Sequence, residues 1–561
     1  MNDMIEKAKK EVREIVLNAL GRAVGEGALP AEPVPDFTVE IPNDTAHGDF
    51  SCNAALVSAK AFRSNPRAIA GAIADRVVLD GTLFTGVETA GPGFLNFFID
   101  PRWFSETVKT VLTLGEDYGR LELGRGKRVL VEFVSANPTG PMHIGNARGG
   151  AIGDCLASLL EYAGYTVERE FYVNDAGNQV NKFGLSLDCR YRQHFGEELE
   201  MPEDSYHGQD IIDHAEKFAA LYGDSYLDRS EEERRRALVE YALPLNIQGL
   251  KDDLAKYRIR YDTWFLESSL HESGKVAEIV EMLKEKGATY EKEGAVWFKA
   301  SEFGDDQDRV LVRANGVPTY FVPDIAYHYN KLVTRGFDKA IDVLGADHHG
   351  YVPRMKAALT ALGVDASRLD AVIMQMVRLV RNGETVKLSK RSGKAITLST
   401  LLDEIPMDAA RFFFNLRDPD THLEFDLDLA IEESSKNPVF YVQYAHARIC
   451  RILEKMKEEG DAPDGAEGTK LGYADPAELA VIRKLAALPT EIAEAAKTYD
   501  PSVLTRYVYE LAQLFHKFYD TCPIKGTEEA TLRSRLALCS AVKRVLKNML
   551  DLLKVEAPEK M

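Results

Sequence analysis

The chain has 561 residues, too many for one hydrophobic core and enough for roughly three domains of ordinary size. Hydrophobic residues make up 45% and charged residues 28%, an ordinary balance for globular protein, and no run approaches the roughly 18 apolar residues of a membrane span. A formal charge of −19 excludes tight non-specific binding of polyanions by the chain as a whole, while leaving local basic fields open.

In chain order, residues 1–20 form a charged amphipathic helix pattern (Glu6, Lys7, Lys9, Lys10, Glu11) without the apolar centre of a signal peptide. Residues 1–115 read as a small α+β unit, with helical patterns at 5–24 and 66–80 flanking strand-like pieces at 37–41 and 93–99. Residues 116–430 alternate strand and helix as in a parallel α/β sheet. The alternation breaks at about 185–300, where charged helices (230–257, 273–286) and turns at Glu293-Gly294 and Asn315-Gly316 indicate an insertion. Residues 431–561 are helical almost throughout, apart from a Gly/Asp/Ala-rich loop at 458–475. The run 532–555 carries Arg533, Arg535, Lys543, Arg544, Lys547 and Lys554 against Asp551, which fits either an RNA-facing strip or an ordinary solvated face. Six scattered cysteines (Cys52, Cys155, Cys189, Cys450, Cys522, Cys539), with no Cys-x-x-Cys pair, argue against structural zinc and a disulfide framework. The expected compartment is the cytoplasm.

The chemistry concentrates in two motifs. After a strand-like run at 129–134 comes Ser135-Ala136-Asn137-Pro138-Thr139-Gly140-Pro141-Met142-His143-Ile144-Gly145-Asn146, a Pro/Gly turn with a His-x-Gly step that opens a helix. That layout aims a histidine and free backbone N–H groups at one point, where an anion would sit. Far downstream, Lys387-Leu388-Ser389-Lys390-Arg391 is a cationic loop flanked by Gly383 and Gly393. Attack of a carboxylate on the α-phosphate of ATP needs in-line positioning and stabilisation of charge on phosphate oxygens, with no enzyme nucleophile. His143 and the helix start at Gly145 suit those oxygens, while Gly140 and Gly145 permit close approach of the nucleotide. Lys387, Lys390 and Arg391 suit the departing pyrophosphate. No Gly-x4-Gly-Lys-Ser/Thr, zincin or Gly-x-Ser-x-Gly pattern occurs. Asp347-His348-His349 reads as a polar strand end lining the nucleotide pocket, and no metal site is expected.

Together the motifs resemble the "HIGH" and "KMSKS" elements of class I aminoacyl-tRNA synthetases. Longer stretches resemble one family, the arginyl-tRNA synthetases. They are Val131-Glu132-Phe133, Tyr172-Val173-Asn174-Asp175-Ala176-Gly177-Asn178-Gln179, Gly345-Ala346-Asp347-His348-His349-Gly350-Tyr351 and Tyr441-Val442-Gln443-Tyr444-Ala445-His446-Ala447-Arg448. The N-terminal Ala46-His47-Gly48-Asp49-Phe50 and Ala90-Gly91-Pro92-Gly93-Phe94, and the closing Glu556-Ala557-Pro558-Glu559-Lys560-Met561, extend the likeness nearly end to end.

The resemblance implies three parts: an N-terminal domain (1–115) touching the tRNA elbow, a Rossmann-type catalytic domain (116–430) and an all-α anticodon-binding domain (431–561). It implies that arginine and Mg-ATP give arginyl-adenylate and pyrophosphate, and that the 2′-hydroxyl of the terminal tRNA adenosine then takes the arginyl group. Members typically need bound tRNA even for the first step. The implied catalytic residues are His143, Lys387, Lys390 and Arg391. ATP contacts fall on Gly140, Gly145, Asn146, Asp347, His348 and Ser389. Asn137 would hold the α-amino or carboxylate end of arginine, and Glu132, Tyr320 and Asp324 its side chain. A guanidinium presents a planar donor fork that carboxylates match bidentately, which agrees with that set. Tyr441, Tyr444 and Arg448 are the implied anticodon contacts, since single-stranded bases stack on aromatic and guanidinium planes. The partners would be tRNA, arginine and ATP, on a monomer.

Two departures stand out. The second histidine of the first motif is Asn146, which can hydrogen-bond but cannot carry a proton. The second motif ends in Arg391 in place of serine, with Leu388 in place of methionine. The sequence leaves two rivals open, another class I synthetase and a non-catalytic tRNA-binding paralogue, although paralogues of that kind usually lose the residues present here as His143, Lys387 and Lys390.

Overall fold

The structure is a computed structural model, and it describes residues 3–42, 44–203, 205–386, 396–460 and 471–561. Lys387, Ser389, Lys390 and Arg391 lie outside the described residues.

At the N-terminus, Asp3 caps a helix over Met4–Gly25 by accepting the N–H groups of Ile5 and Glu6. Its apolar stripe packs beside an antiparallel sheet that includes Phe50–Cys52, Phe84–Ala90 and Phe94–Ile99.

The central sheet is built from β1 (Arg128–Glu132), β2 (Thr166–Val173), β3 (Thr263–Leu266), β4 (Lys339–Gly345) and β5 (Leu369–Met374). Its order is β5-β4-β1-β2-β3, all parallel. That is a Rossmann order, with the reversal between β1 and β4 where such sheets bind ligands at the carboxyl ends of their strands. Helix α1 (Ile144–Tyr162) follows β1 and lies directly on it: a Cβ at Gly153 would come within 2.2 Å of Phe133. Helix α2 (Phe321–Tyr329) precedes β4 and continues as one π-helical turn, Asn330–Thr334.

The expected insertion at about 185–300 is not one continuous insertion. Helices Gly177–His194, Gln209–Tyr222 and Glu231–Lys256 form a satellite with its own core around Phe183, Tyr191 and Phe218. The chain then returns as β3, the edge of the main sheet, before an antiparallel hairpin layer over Thr289–Lys292, Ala295–Phe298 and Arg309–Val312. β3 is four residues long between charged helices, too short for a periodicity signal.

Beyond residue 431 come α3 (Pro438–Glu458), α4 (Pro476–Thr498), α5 (Ser502–Thr521) and α6 (Glu529–Leu553). Their apolar faces join one continuous core with the N-terminal unit and α1. Arg483 on α4 pairs with Asp49 of the N-terminal unit at 2.8 Å. The basic run at 532–555 is charge-balanced along its length: Arg535 pairs with Glu478, Lys543 with Glu559, Arg544 with Glu116 and Lys547 with Asp551. The solvated-face reading therefore fits it. Among the described residues no helix is long and apolar enough to cross a membrane.

Candidate active site

A cavity of about 1060 Å³ opens at the carboxyl ends of β1 and β4. Its walls include Asn137, Gly140, His143, Gly145 and Asn146 from the first motif, and Gly345, Asp347 and His348 from the end of β4. A side chain at Gly145 would meet no protein atom within 4 Å, so the space over it faces the cavity. Asn146 acts as a helix cap: its Oδ1 accepts the His143 N–H at 3.1 Å. The His143 side chain stays exposed at the head of α1, where the helix dipole and free N–H groups favour an anion.

The second motif is tied to the first through its downstream flank. Ile144 N–H donates to Ile396 O (3.3 Å), and Leu398 N–H donates to Met142 O (3.0 Å). Thr397, within that flank, lines the same cavity. On a third side, Met374, Gln375 and Met376 form the wall that follows β5. Arg148 on α1 fixes that wall: its fully buried guanidinium donates to the carbonyls of Gln375 (2.7 Å), Thr421 (3.0 Å) and Asp418 (3.1 Å). Burial brings its pKa down to about 10, against the opposing pull of Asp418 and Asp420.

The satellite helices also reach the cavity, which the sequence did not indicate. Tyr206, His207, Gly208, Gln209 and Asp210 line it. The Tyr206 hydroxyl donates to Gln179, and Asn246 Nδ2 donates to Pro138 O at 3.0 Å, which pins the motif turn.

Beside this cavity lies an acidic, aromatic pocket. Tyr172, Phe265 and Tyr327 pack with ring centroids 4.5 to 6.2 Å apart. Asp324, in the first turn of α2, finds no hydrogen-bond donor for its carboxylate among the described residues. Burial pushes its pKa up to about 7, with Glu267 and Glu132 adding to the rise and His328 and Lys331 opposing it. Glu267 stands at the carboxyl end of β3, and Asn174, with its amide oriented to donate, reaches its Oε2 at 3.2 Å. Asp175 secures the neighbouring Ser268 through N–H (2.8 Å) and Oγ (2.6 Å). Tyr320, just before α2, is 69% exposed and its hydroxyl lies 3.4 Å from Arg354 Nη1, so it is not a core aromatic.

Glu132 is placed differently from Asp324. It lies opposite Asp342 of β4 on one side and Glu170 of β2 on the other, a row of three buried carboxylates across the sheet. The fully buried Lys331 meets Glu132 Oε2 at 2.5 Å and Asp342 Oδ1 at 2.8 Å, and Ser135 Oγ donates to Glu132 Oε1 at 2.8 Å. Glu170 accepts from the Tyr327 hydroxyl at 2.6 Å and pairs with Arg335. Among the described residues, no three His, Cys, Asp or Glu side chains gather as a metal site.

The three segments of the chain each match a known family. Residues 10–99 match the family described as "Arginyl tRNA synthetase N terminal domain", 107–449 "tRNA synthetases class I (R), catalytic domain", and 442–561 "DALR anticodon binding domain". An arginine–tRNA ligase of Caldanaerobacter subterraneus subsp. tengcongensis is 55% identical over 100% of both chains, and one of Ruminiclostridium cellulolyticum is 50% identical over the same span. The chain belongs to the arginyl-tRNA synthetase family. Among solved structures, a putative arginyl-tRNA synthetase of Campylobacter jejuni covers 82% of this chain and 100% of its own at 35% identity, with a TM-score of 0.74. The arginyl-tRNA synthetase of Thermus thermophilus shares the fold over 99% of this chain and 100% of its own at 24% identity, with a TM-score of 0.73.

The helical domain of this family member brings the three C-terminal candidates together. Arg448 Nη2 donates to the Tyr444 hydroxyl at 2.9 Å, and its guanidinium carbon lies 4.7 Å over the Tyr444 ring and 5.1 Å over Tyr519. Tyr444 is 39% exposed, whereas Tyr441 leans on Tyr509 and His516 at 5.4 and 4.8 Å. With Ser435, Phe440, His516 and Asp520 they line a cavity of about 340 Å³.

Proposed function

We propose that this chain joins arginine to its tRNA in two steps. In the first, a carboxylate oxygen of arginine attacks the α-phosphorus of ATP, the bond to the β-phosphate oxygen breaks, and pyrophosphate leaves. In the second, the 2′-oxygen of the terminal adenosine attacks the arginyl carbonyl, and AMP leaves as the hydroxyl gives up its proton.

The observation that carries the arginine assignment is the pair Asp324 and Glu267. Two carboxylates share an aromatic pocket beside the nucleotide cavity, and one of them, Asp324, has no donor among the described residues. A guanidinium supplies the missing fork of donors and an aromatic stacking plane, whereas a lysine ammonium supplies a single point charge. Tyr320 closes the rim, Asn137 takes the α-amino or carboxylate end, and Glu132 retains acceptor lone pairs toward the substrate. His143 and the N–H groups near Gly145 hold the α-phosphate, Gly140 and Asn146 shape its approach, and Asp347 and His348 border the nucleotide. Lys387, Ser389, Lys390 and Arg391 hold the β- and γ-phosphates from the opposite side. Mg2+ arrives on the phosphates. Asp210 and the exposed Asp347 line the same cavity and would fit a hard cation that keeps most of its ligands as phosphate and water oxygens.

Residues 1–115 contact the tRNA elbow, 116–430 carry the chemistry, and 431–561 read the anticodon through Tyr441, Tyr444 and Arg448. One chain holds the complete set of sites, so a monomer suffices, and the cytoplasm supplies all three substrates. Charging of bulk tRNA with each amino acid in turn, with Mg-ATP, tests the reading. Acylation by arginine alone is expected. Charging with a different amino acid would keep the mechanism and remove the pocket assignment, and tRNA binding without charging would remove both.

A further inference from the structure

Lys331 is a fully buried lysine that no part of the proposed chemistry uses. It sits in the π-helical turn that ends α2, and such turns commonly mark functional positions. The helix therefore has two working ends. Its start raises Tyr320 and Asp324 into the arginine pocket. Its last turns lay Tyr327, His328, Lys331 and Arg335 on the acidic row Asp342–Glu132–Glu170.

The contacts form a continuous path. His328 Nδ1 bonds the Asp324 carbonyl (2.7 Å) and its Nε2 bonds Asp342 Oδ2 (2.7 Å). Lys331 bridges Asp342 to Glu132, Glu132 accepts the Ser135 hydroxyl, and Ser135 Oγ accepts the Tyr172 N–H (3.1 Å). Ser135 belongs to a strained turn. Val134 has φ 69° and Ser135 φ 42°, and a β-branched residue at positive φ is disfavoured unless its surroundings enforce it. That turn delivers Asn137 and the His143 segment to the cavity.

We infer that Lys331, without touching substrate, is the positioning residue that couples the arginine pocket to the ATP-binding turn: it holds Glu132, and through Glu132 the Ser135 hydroxyl that keeps the Val134–Ser135 turn in its left-handed form. Removing the ammonium leaves Glu132 and Asp342 side by side in the sheet interior, where two carboxylates cannot both stay ionised at neutral pH. The groups facing that pair are His328 and Asp324 from α2, Glu170 and its partner Arg335, and the Tyr327 ring, whose centroid lies 4.1 Å from Lys331 Nζ. The inference rests on assigning the carboxylate pocket to arginine.

The test is steady-state aminoacylation of the full chain with tRNA, varying arginine and ATP separately. Lys331→Met is expected to lower kcat by about 100-fold or more, as misplacement of reacting groups does. Its kcat should also acquire a pH inflection beyond any that Asp324 gives the parent near neutrality, which Lys331→Met/Asp342→Asn removes by leaving one carboxylate of the pair while Glu170 keeps Arg335. Ser135→Ala, with a wild-type melting curve, is expected to lower kcat about tenfold while changing the arginine KM by less than about threefold. If Lys331→Met does not fold, Ser135→Ala decides alone. Wild-type kcat in Ser135→Ala, or a folded Lys331→Met with wild-type kcat and no new inflection, overturns the inference. Asp324→Asn separates it from the pocket assignment. An unchanged arginine KM there overturns the assignment, whereas a raised KM beside inert Lys331 and Ser135 variants overturns only the role of Lys331.

Discussion

The nucleotide cavity and the arginine pocket share one sheet edge and are built on opposite principles. The cavity is wide, and its walls carry the head of α1, the exposed His143 and, beside the Ile396–Leu398 anchor, Thr397. The pocket is aromatic, beside a row of buried carboxylates whose charges are partly cancelled by Lys331, Arg335 and His328, and Asp324 has no donor among the described residues. A phosphate is recognised adequately by a helix N-terminus that many sequences can form. Telling a guanidinium from an ammonium needs fixed, desolvated partners that are costly to leave unpaired. On the proposed reading, specificity lies in the pocket and chemistry in the cavity.

Substitutions on each side should separate these roles. Asp324→Asn is expected to raise the arginine KM by roughly 100-fold and the ATP KM by less than about threefold, because it removes a charge-assisted pair from a desolvated site. Equal effects on both substrates would merge the two regions. His143→Ala and Lys390→Ala should each lower the adenylation rate by about tenfold to 1000-fold with tRNA affinity nearly unchanged, measured by pyrophosphate exchange and filter binding. Near-wild-type rates in both would refute the ATP clamp. Glu267→Gln should cost about tenfold in arginine KM, a charge lost with the hydrogen-bond geometry retained.

The raised pKa of Asp324 gives a smaller, signed effect. Arginine binds the ionised carboxylate, so its affinity should rise by up to about tenfold per pH unit below 7 and level off above, where the group is already ionised. Calorimetry at pH 6, 7 and 8 checks this, and an affinity flat across that range speaks against Asp324 as the guanidinium partner. The same shift acts on stability. A carboxyl whose folded pKa is raised stabilises the fold while protonated, and that contribution is lost as pH rises through about 7. Without substrate, Asp324→Asn should therefore melt higher than the parent at pH 8 and at about the same temperature at pH 4. Smallest of all, Arg448→Ala is expected to raise the tRNA KM about tenfold, from lost stacking, with arginine and ATP constants unchanged. A change in the arginine constant would instead point to coupling through the helical domain.

Much of the nucleotide site is legible in the sequence. A strand, a Pro/Gly turn and a helix are local features with local signatures, and the structure places Asn137, Gly140, His143, Gly145, Asn146, Asp347 and His348 around one cavity. The chemical role of Asn146 was less legible. Its amide serves the backbone of His143, which explains how the motif keeps its geometry without the second histidine. The carboxylate pocket was legible only in part. Asp324 and Tyr320 were identified by resemblance, while Glu267 was hidden because β3 is short and its neighbours look like a charged insertion. The sequence left the basic run at 532–555 open between two readings, since its partners Glu478, Glu116 and Glu559 lie elsewhere in the chain.

By itself, then, the sequence determined the alternating α/β architecture, the phosphate-binding turn and the helical C-terminal domain, because periodicity, turn residues and helix starts are set by near neighbours along the chain. Tertiary structure alone decided which carboxylates already have partners within the fold. Strand register sets Glu132 between Asp342 and Glu170, and a lysine far along the chain arrives between the first two. Whether a buried charge is spent on the fold or left for a ligand depends on its partners in space, and those partners are fixed only when the sheet and α2 are packed together.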